Sequence, residues 1–178
     1  MTRPDFVAPP EPKDPYPVVE TGCIIAGFGR GSSELGIPTA NVPVTQSLDK
    51  LPQGVYYGFS RLITSSSNGD NDGDDEKSKF NYGVNLTDDE KKVLPMVMSI
   101  GWNPFYKNEQ KAAEIHIINK FTDSFYGAQI KFVVLGYIRP ELDYTTVEAL
   151  IADINIDIEQ ALQTLHLPEY NKYQRLVE

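Results

Sequence analysis

A chain of 178 residues with 40% hydrophobic and 11% aromatic content is long enough to close one packed core, which excludes global disorder. A net charge of −9, without clusters of Lys and Arg, argues against nucleic acid as a partner. No apolar run approaches the ~18 residues that span a bilayer, so no membrane partner is expected. One cysteine and two histidines supply neither an internal disulfide nor a His/Cys zinc cage.

The first 17 residues, MTRPDFVAPPEPKDPYP, carry six prolines and predict an extended, polyproline-like arm unable to enter a helix or central strand. They show no apolar core or cleavage pattern of a secretory signal, and they are too acidic and Arg-poor for a transit peptide. The expectation is an intracellular, cytoplasmic monomer.

The domain proper is expected over residues 18–178. VVETGCIIAGF is rich in β-branched residues and predicts a first strand that runs into a glycine-rich loop. Residues 53–63 alternate Val55, Tyr57, Phe59 against Tyr56, Gly58, Ser60, the pattern of a strand with one buried face. Residues 64–94 form a polar, acidic insert; the partial calcium-loop match at Asn68, Asp70, Asp72 and Gly73 fails where Lys79 replaces the closing glutamate. Further strands are predicted over 96–101, 113–119 and 129–139. In the first of the last two, Ala113, Ile115 and Ile117 share one face and Glu114 and His116 the other.

The C-terminal part changes period. Val147, Leu150, Ile151, Ile154, Ile158, Ala161, Leu162 and Leu165 recur at helical spacing, Thr145 with Glu148 predicts a capping box, and Pro168 predicts the stop. A run of strands followed by one helix, without βαβ alternation, predicts an antiparallel barrel closed by a helix.

GFGRGSSELGIPTAN, residues 27–41, carries the chemistry. Glycines at 27, 29 and 31 offer bare N–H groups to phosphate oxygens. The lysine of a G-x-x-x-x-G-K-[ST] loop is missing, and no helix follows as a dinucleotide fingerprint would need. Pro38 keeps the chain extended, so Thr39 and Asn41 project to the same side. A hydroxyl and an amide oxygen are hard neutral ligands suited to Mg²⁺, and a metal can replace the lysine. The competing reading is that both residues cap a turn.

GFGRGSSELGIPTAN, GVYYGF, SIGWNPFYKN, AEIHIINKF, DSFYGAQI and GYIRPE follow one another in this order. Together they closely resemble riboflavin kinase of the eukaryotic, monofunctional, fungal type. The likeness runs from about Val18 to Pro168. It implies a six-stranded antiparallel Greek-key β-barrel with a C-terminal amphipathic helix. It also implies transfer of the ATP γ-phosphate to the riboflavin 5′-hydroxyl, giving FMN and ADP.

The same resemblance assigns roles. Thr39 and Asn41 bind the metal–ATP complex, with Mg²⁺ or Zn²⁺ as the ion. Gly27, Ser33, Ile117, Asn119 and Tyr126 line the nucleotide pocket, several through backbone atoms. Glu114 falls at the catalytic carboxylate, although by pattern alone it reads equally as surface decoration on a strand. Arg139 and the segment after it form the flavin side, since a guanidinium stacks on, or donates to, a planar heterocycle. Trp102, Phe105 and Tyr106 read as packing residues rather than flavin stackers.

Two other functions compete: a flavin-binding barrel without kinase activity, and a non-enzymatic barrel that recognises protein or RNA. The first would have no use for P-T-A-N or a catalytic carboxylate. A second, nucleotidylyl-transferring activity is not expected, because neither His116 nor His166 sits in an H-x-G-H motif.

Overall fold

The structure, a computed structural model, describes residues 3–25, 39–64, 86–102, 111–119, 121, 125 and 127–178. Six strands are present: β1 (Val18–Cys23), β2 (Thr39–Pro43), β3 (Gly54–Ile63), β4 (Leu94–Trp102), β5 (Lys111–Ile117) and β6 (Gln129–Arg139). Among the described residues three α-helical segments accompany them: α1 (Gln46–Asp49), α2 (Val147–Leu165) and α3 (Pro168–Asn171). The sheet order is β1-β6-β3-β4-β5-β2, and every pairing is antiparallel. The chain leaving β1 bridges the opposite edge strand at Ile25 and Asn41, where Ile25 N–H donates to the Asn41 carbonyl at 2.9 Å. The sheet therefore curls until its two edges meet, and the expected barrel with a C-terminal helix is what forms.

The strand alternation sorts side chains into two cores. Ala40, Val42, Met96, Met98, Ile100, Ala113, Ile115, Ile117 and Phe132 fill the barrel interior. Val55, Tyr57, Phe59, Val97, Val133 and Leu135 face outward and pack beneath Ala161 and Leu165 of α2 and Tyr170 of α3. Fully burying each large aliphatic side chain contributes about 1.5–3 kcal/mol. β3 thus departs from the expectation of one buried face. Tyr56 points into the barrel while Tyr57 lies under the helices, and both are fully buried. An alternating strand can bury both faces when a helix covers the outer one.

The helix also differs in detail. Its N-cap is Thr146, whose Oγ1 accepts from Ala149 N–H at 3.1 Å, one residue later than the expected Thr145. Glu148 then sits at the second helical position, too early to close a capping box. The buried stripe is Ile154, Asp157, Ala161, Thr164 and Leu165, whereas Val147 and Leu162 are exposed. Pro168 does end the pattern, but as the first residue of α3, where its missing N–H costs nothing.

Two segments outside the barrel motifs are built into the domain. Leu86, in the last third of the insert, is buried in the barrel core. It is followed by a 3-10 turn, Asp88–Lys91, closed by a reciprocal capping box between Thr87 and Glu90. The proline arm pairs with no strand, as its composition predicts, yet it docks. Phe6 meets Tyr57 edge-on at 5.9 Å, and Tyr170 Oη donates to the Pro9 carbonyl at 2.8 Å. No helix among the described residues is long and apolar enough to cross a membrane. The partial calcium-loop motif, Phe105 and Tyr106 lie outside the described residues, as does the side chain of Trp102.

Candidate active site

β2 is five residues long, and its register against β5 builds the site. Thr39 stands opposite His116, and Asn41 stands opposite Glu114. Cross-strand partners project to the same face with Cβ atoms about 5 Å apart. All four side chains therefore share the outer face, while Ala40, Val42, Ala113, Ile115 and Ile117 fill the inside. β4 adds Ser99 across from Glu114 and Val97 across from His116. Val97 is already part of the core beneath α2, so the helix borders this row.

Thr39 is 1% exposed and Asn41 4%, yet Thr39 Oγ1 and Asn41 Oδ1 have no hydrogen-bond partner among the described residues. A buried, unpartnered polar oxygen costs about 1–3 kcal/mol, so two side by side are a liability unless a ligand satisfies them. Two hard neutral oxygens suit a divalent cation that also holds phosphate oxygens. The turn-capping reading finds no support among the described residues, because both stand within a strand and neither Thr39 Oγ1 nor Asn41 Oδ1 accepts a hydrogen bond there. Glu114 retains 29% side-chain exposure, and its Oε1 lies 3.4 Å from His116 Nε2. The carboxylate thus has a fixed neighbour on one side and solvent on the other.

The nucleotide-side residues converge only in part. Ile117 is 1% exposed with its side chain inside the barrel, so it can serve the outer site only through its main chain. Asn119 follows directly, its N–H donating to the Ile117 carbonyl at 2.8 Å. Gly27, Ser33 and Tyr126 lie outside the described residues. Their flanks are nonetheless brought together. Ala128 N–H closes a turn on the Phe125 carbonyl at 3.1 Å, with Gly127 at φ 89°, a conformation in which a side chain would be strained. Gly127 N–H then donates to the Ile24 carbonyl, next to the Ile25–Asn41 bridge.

The sequence matches a known family. The family model for riboflavin kinase (flavokinase) aligns with residues 14–165. The chain belongs to the riboflavin kinase family. It is 56% identical to the riboflavin kinase of Scheffersomyces stipitis, an alignment covering 99% of this chain and 100% of that one. The riboflavin kinase of Meyerozyma guilliermondii is 54% identical, with 97% of each chain covered. Among solved structures, riboflavin kinase from Trypanosoma brucei superposes with a TM-score of 0.62, covering 92% of this chain and 88% of that one. At 23% identity that likeness speaks for a shared fold.

Against the family's reaction, Arg139 takes an unforeseen place. It is 3% exposed, and Nε and Nη2 grip the two carboxylate oxygens of Asp157 on α2 at 2.9 and 2.7 Å. Its Nη1 donates to the Pro140 carbonyl at 3.3 Å, and its guanidinium lies 5.9 Å from the Tyr144 ring centre. The fork is thus committed to the protein, and it pins the start of residues 140–146. That segment brings Glu141 over Gly101, where any side chain would run into the Glu141 carboxylate. Glu141 keeps solvent contact as a residue. Its carboxyl is nonetheless held above the usual range, first by burial and then by the charges of Glu114 and Asp143, while Arg139 draws it down. A second carboxylate therefore sits within electrostatic reach of Glu114. Sequence reasoning missed Glu141, Ser99 and Asp157; only the R-P-E motif pointed toward any of them.

Proposed function

We propose that the outer face of β2 and β5 carries out the family's reaction, ATP-dependent phosphorylation of riboflavin to FMN, with Glu114 as the general base. The observation that carries this reading is the pair of buried, unpartnered oxygens on Thr39 and Asn41 directly beside a carboxylate. A nucleophile-activating group and a phosphate-holding group must be neighbours for phosphoryl transfer, which depends chiefly on positioning and charge neutralisation.

Glu114 accepts a hydrogen bond from the ribityl 5′-hydroxyl and orients its oxygen toward the γ-phosphorus. A carboxylate is far too weak a base to ionise an alcohol beforehand. The proton moves to Glu114 as the new P–O bond forms and the bond to the ADP oxygen breaks. His116, at 3.4 Å, steadies the carboxylate. Thr39 Oγ1 and Asn41 Oδ1 would hold a divalent cation, which when bound would neutralise phosphate charge. An all-oxygen, uncharged donor pair favours Mg²⁺ over Zn²⁺, which prefers nitrogen and sulfur. Gly27, Ser33, Asn119, Tyr126 and the main chain of Ile117 form the nucleotide side. Arg139 serves the flavin side by fixing residues 140–146, whose Glu141 borders Glu114. The partners of this site are small molecules, and the chain is proposed to act on them as a monomer.

The test is single-turnover FMN formation with both substrates saturating. Glu114→Gln keeps the volume but cannot take the proton, so the rate is expected to fall about 10²–10⁴-fold. ATP affinity should hold within twofold. A mutant within threefold of wild type would sink the general-base role. A wild-type chain that binds riboflavin without forming FMN would favour the flavin-binding barrel instead.

A further inference from the structure

The arm's only arginine, Arg3, enters a partly buried charge network that the family's reaction does not explain. Its Nη2 lies 2.8 Å from Asp157 Oδ1 and donates to Gln160 Oε1 at 2.6 Å. Its Nη1 donates to the Asp153 carbonyl at 3.3 Å and stands 4.0 Å from the Asp153 carboxylate. Asp157, 2% exposed at its side chain, is thus shared by two guanidiniums, those of Arg3 and Arg139. Asp153 in turn accepts from Tyr144 Oη at 2.7 Å. Two arginines and two aspartates balance in charge and tie together three separate parts of the chain: the arm, the end of β6 and α2.

The network holds residues 140–146 at both ends. Arg139 pins Pro140, and Asp153 pins Tyr144. Arg3 contacts both aspartates and so cross-braces the clamp. Removing it leaves two carboxylates facing one guanidinium, which frees Asp153 and Asp157 to repel one another and to compete for Arg139. Breaking one partner of a desolvated set is costly because the remaining charges stay buried.

We infer that Arg3 is a positioning residue for riboflavin, acting through Asp153 and Asp157 on the segment 140–146, so that the proline arm belongs to the flavin subsite. This rests on the reading that residues 140–146 form the flavin side. The nucleotide half of the site hangs on β2 and β5, which the network does not touch, so the effect is selective for one substrate.

The experiment uses the full chain with Arg3→Ala, Arg3→Lys and Glu141→Ala. Riboflavin affinity is read by quenching of its fluorescence, Mg·ATP affinity by titration, and folding by thermal melting. Arg3→Ala is expected to weaken riboflavin about fivefold or more and leave Mg·ATP within twofold, as coupling through a packed network allows. Arg3→Lys, which keeps the charge but loses the fork, should fall between. Riboflavin affinity unchanged in Arg3→Ala but weakened in Glu141→Ala would overturn the role of Arg3 and spare the flavin-side reading. Riboflavin affinity unchanged in both would overturn both. Equal losses for the two substrates would make the arm a general stabiliser and overturn the inference. If Arg3→Ala does not fold, Arg3→Gln, which keeps two donors without the charge, is read by the same criteria.

Discussion

Asn41 and Glu114 are direct cross-strand partners, one on a five-residue edge strand and the other on its neighbour. The pairing sets the Asn41 amide and the Glu114 carboxylate, the proposed metal ligand and base, at one fixed spacing on a surface that cannot slip. A one-residue shift of β2 would turn Thr39 and Asn41 into the barrel and bring Ala40 and Val42 out of it. The core therefore enforces the register that the proposed chemistry needs. The bridge from Ile25 to Asn41 brings the chain that leaves β1 to the same point.

The unpartnered oxygens give opposite expectations with and without metal. Thr39→Val and Asn41→Leu each remove a buried acceptor that no described group satisfies. Metal-free variants should melt no lower than wild type, with a gain on the order of 1 kcal/mol each. The additional stabilisation by Mg·ATP should shrink in both, since a ligand stabilises only as far as it binds the folded state. A metal-free loss of stability with an unaltered Mg·ATP shift would assign both residues to structure alone.

Glu141 makes a pH prediction. Its folded-state value lies above the ordinary carboxylate value, so the folded protein holds that proton more tightly than the unfolded chain. The resulting stabilisation is complete below pH ~4 and is lost as pH rises through the folded value. Glu141→Gln, neutral at every pH, should match wild type in acid and melt higher at pH 7. Melting curves across that interval decide it. A variant that melts lower at neutral pH would mean that attraction to Arg139 outweighs burial and the repulsion from Glu114 and Asp143.

The insert should divide into a dispensable part and a structural end. Excising residues 65–79 changes the closure entropy of a polar loop only logarithmically and should move the denaturation midpoint little. Leu86→Ala, which empties a place in the barrel core, should cost about 2–5 kcal/mol. Equilibrium denaturation of both variants measures the contrast. A large loss on excision would show that the acidic stretch packs on the domain.

Five of the six strands and the long helix were legible in the sequence because each repeats its own period over seven or more residues or, like β1, lies in a stretch rich in β-branched residues. β2 was legible only as an extended piece after Pro38: five residues give too few alternations to separate a strand from a turn. Glu114 could be placed on the polar face of its strand, but whether that face met solvent or a site depended on what stood across from it. That was decided by register, which follows from the total packing of the barrel interior. Asp157 shows the same limit from the other side. Within a helical stripe it reads as an interruption of the apolar face, and Arg3 and Arg139 read as an arm charge and a flavin contact. Local sequence specifies the period and caps of each element, because those depend on neighbours a few residues apart. The pairing of Asp157 with Arg3 and Arg139 spans most of the chain, and only the folded barrel brings those charges out of water together.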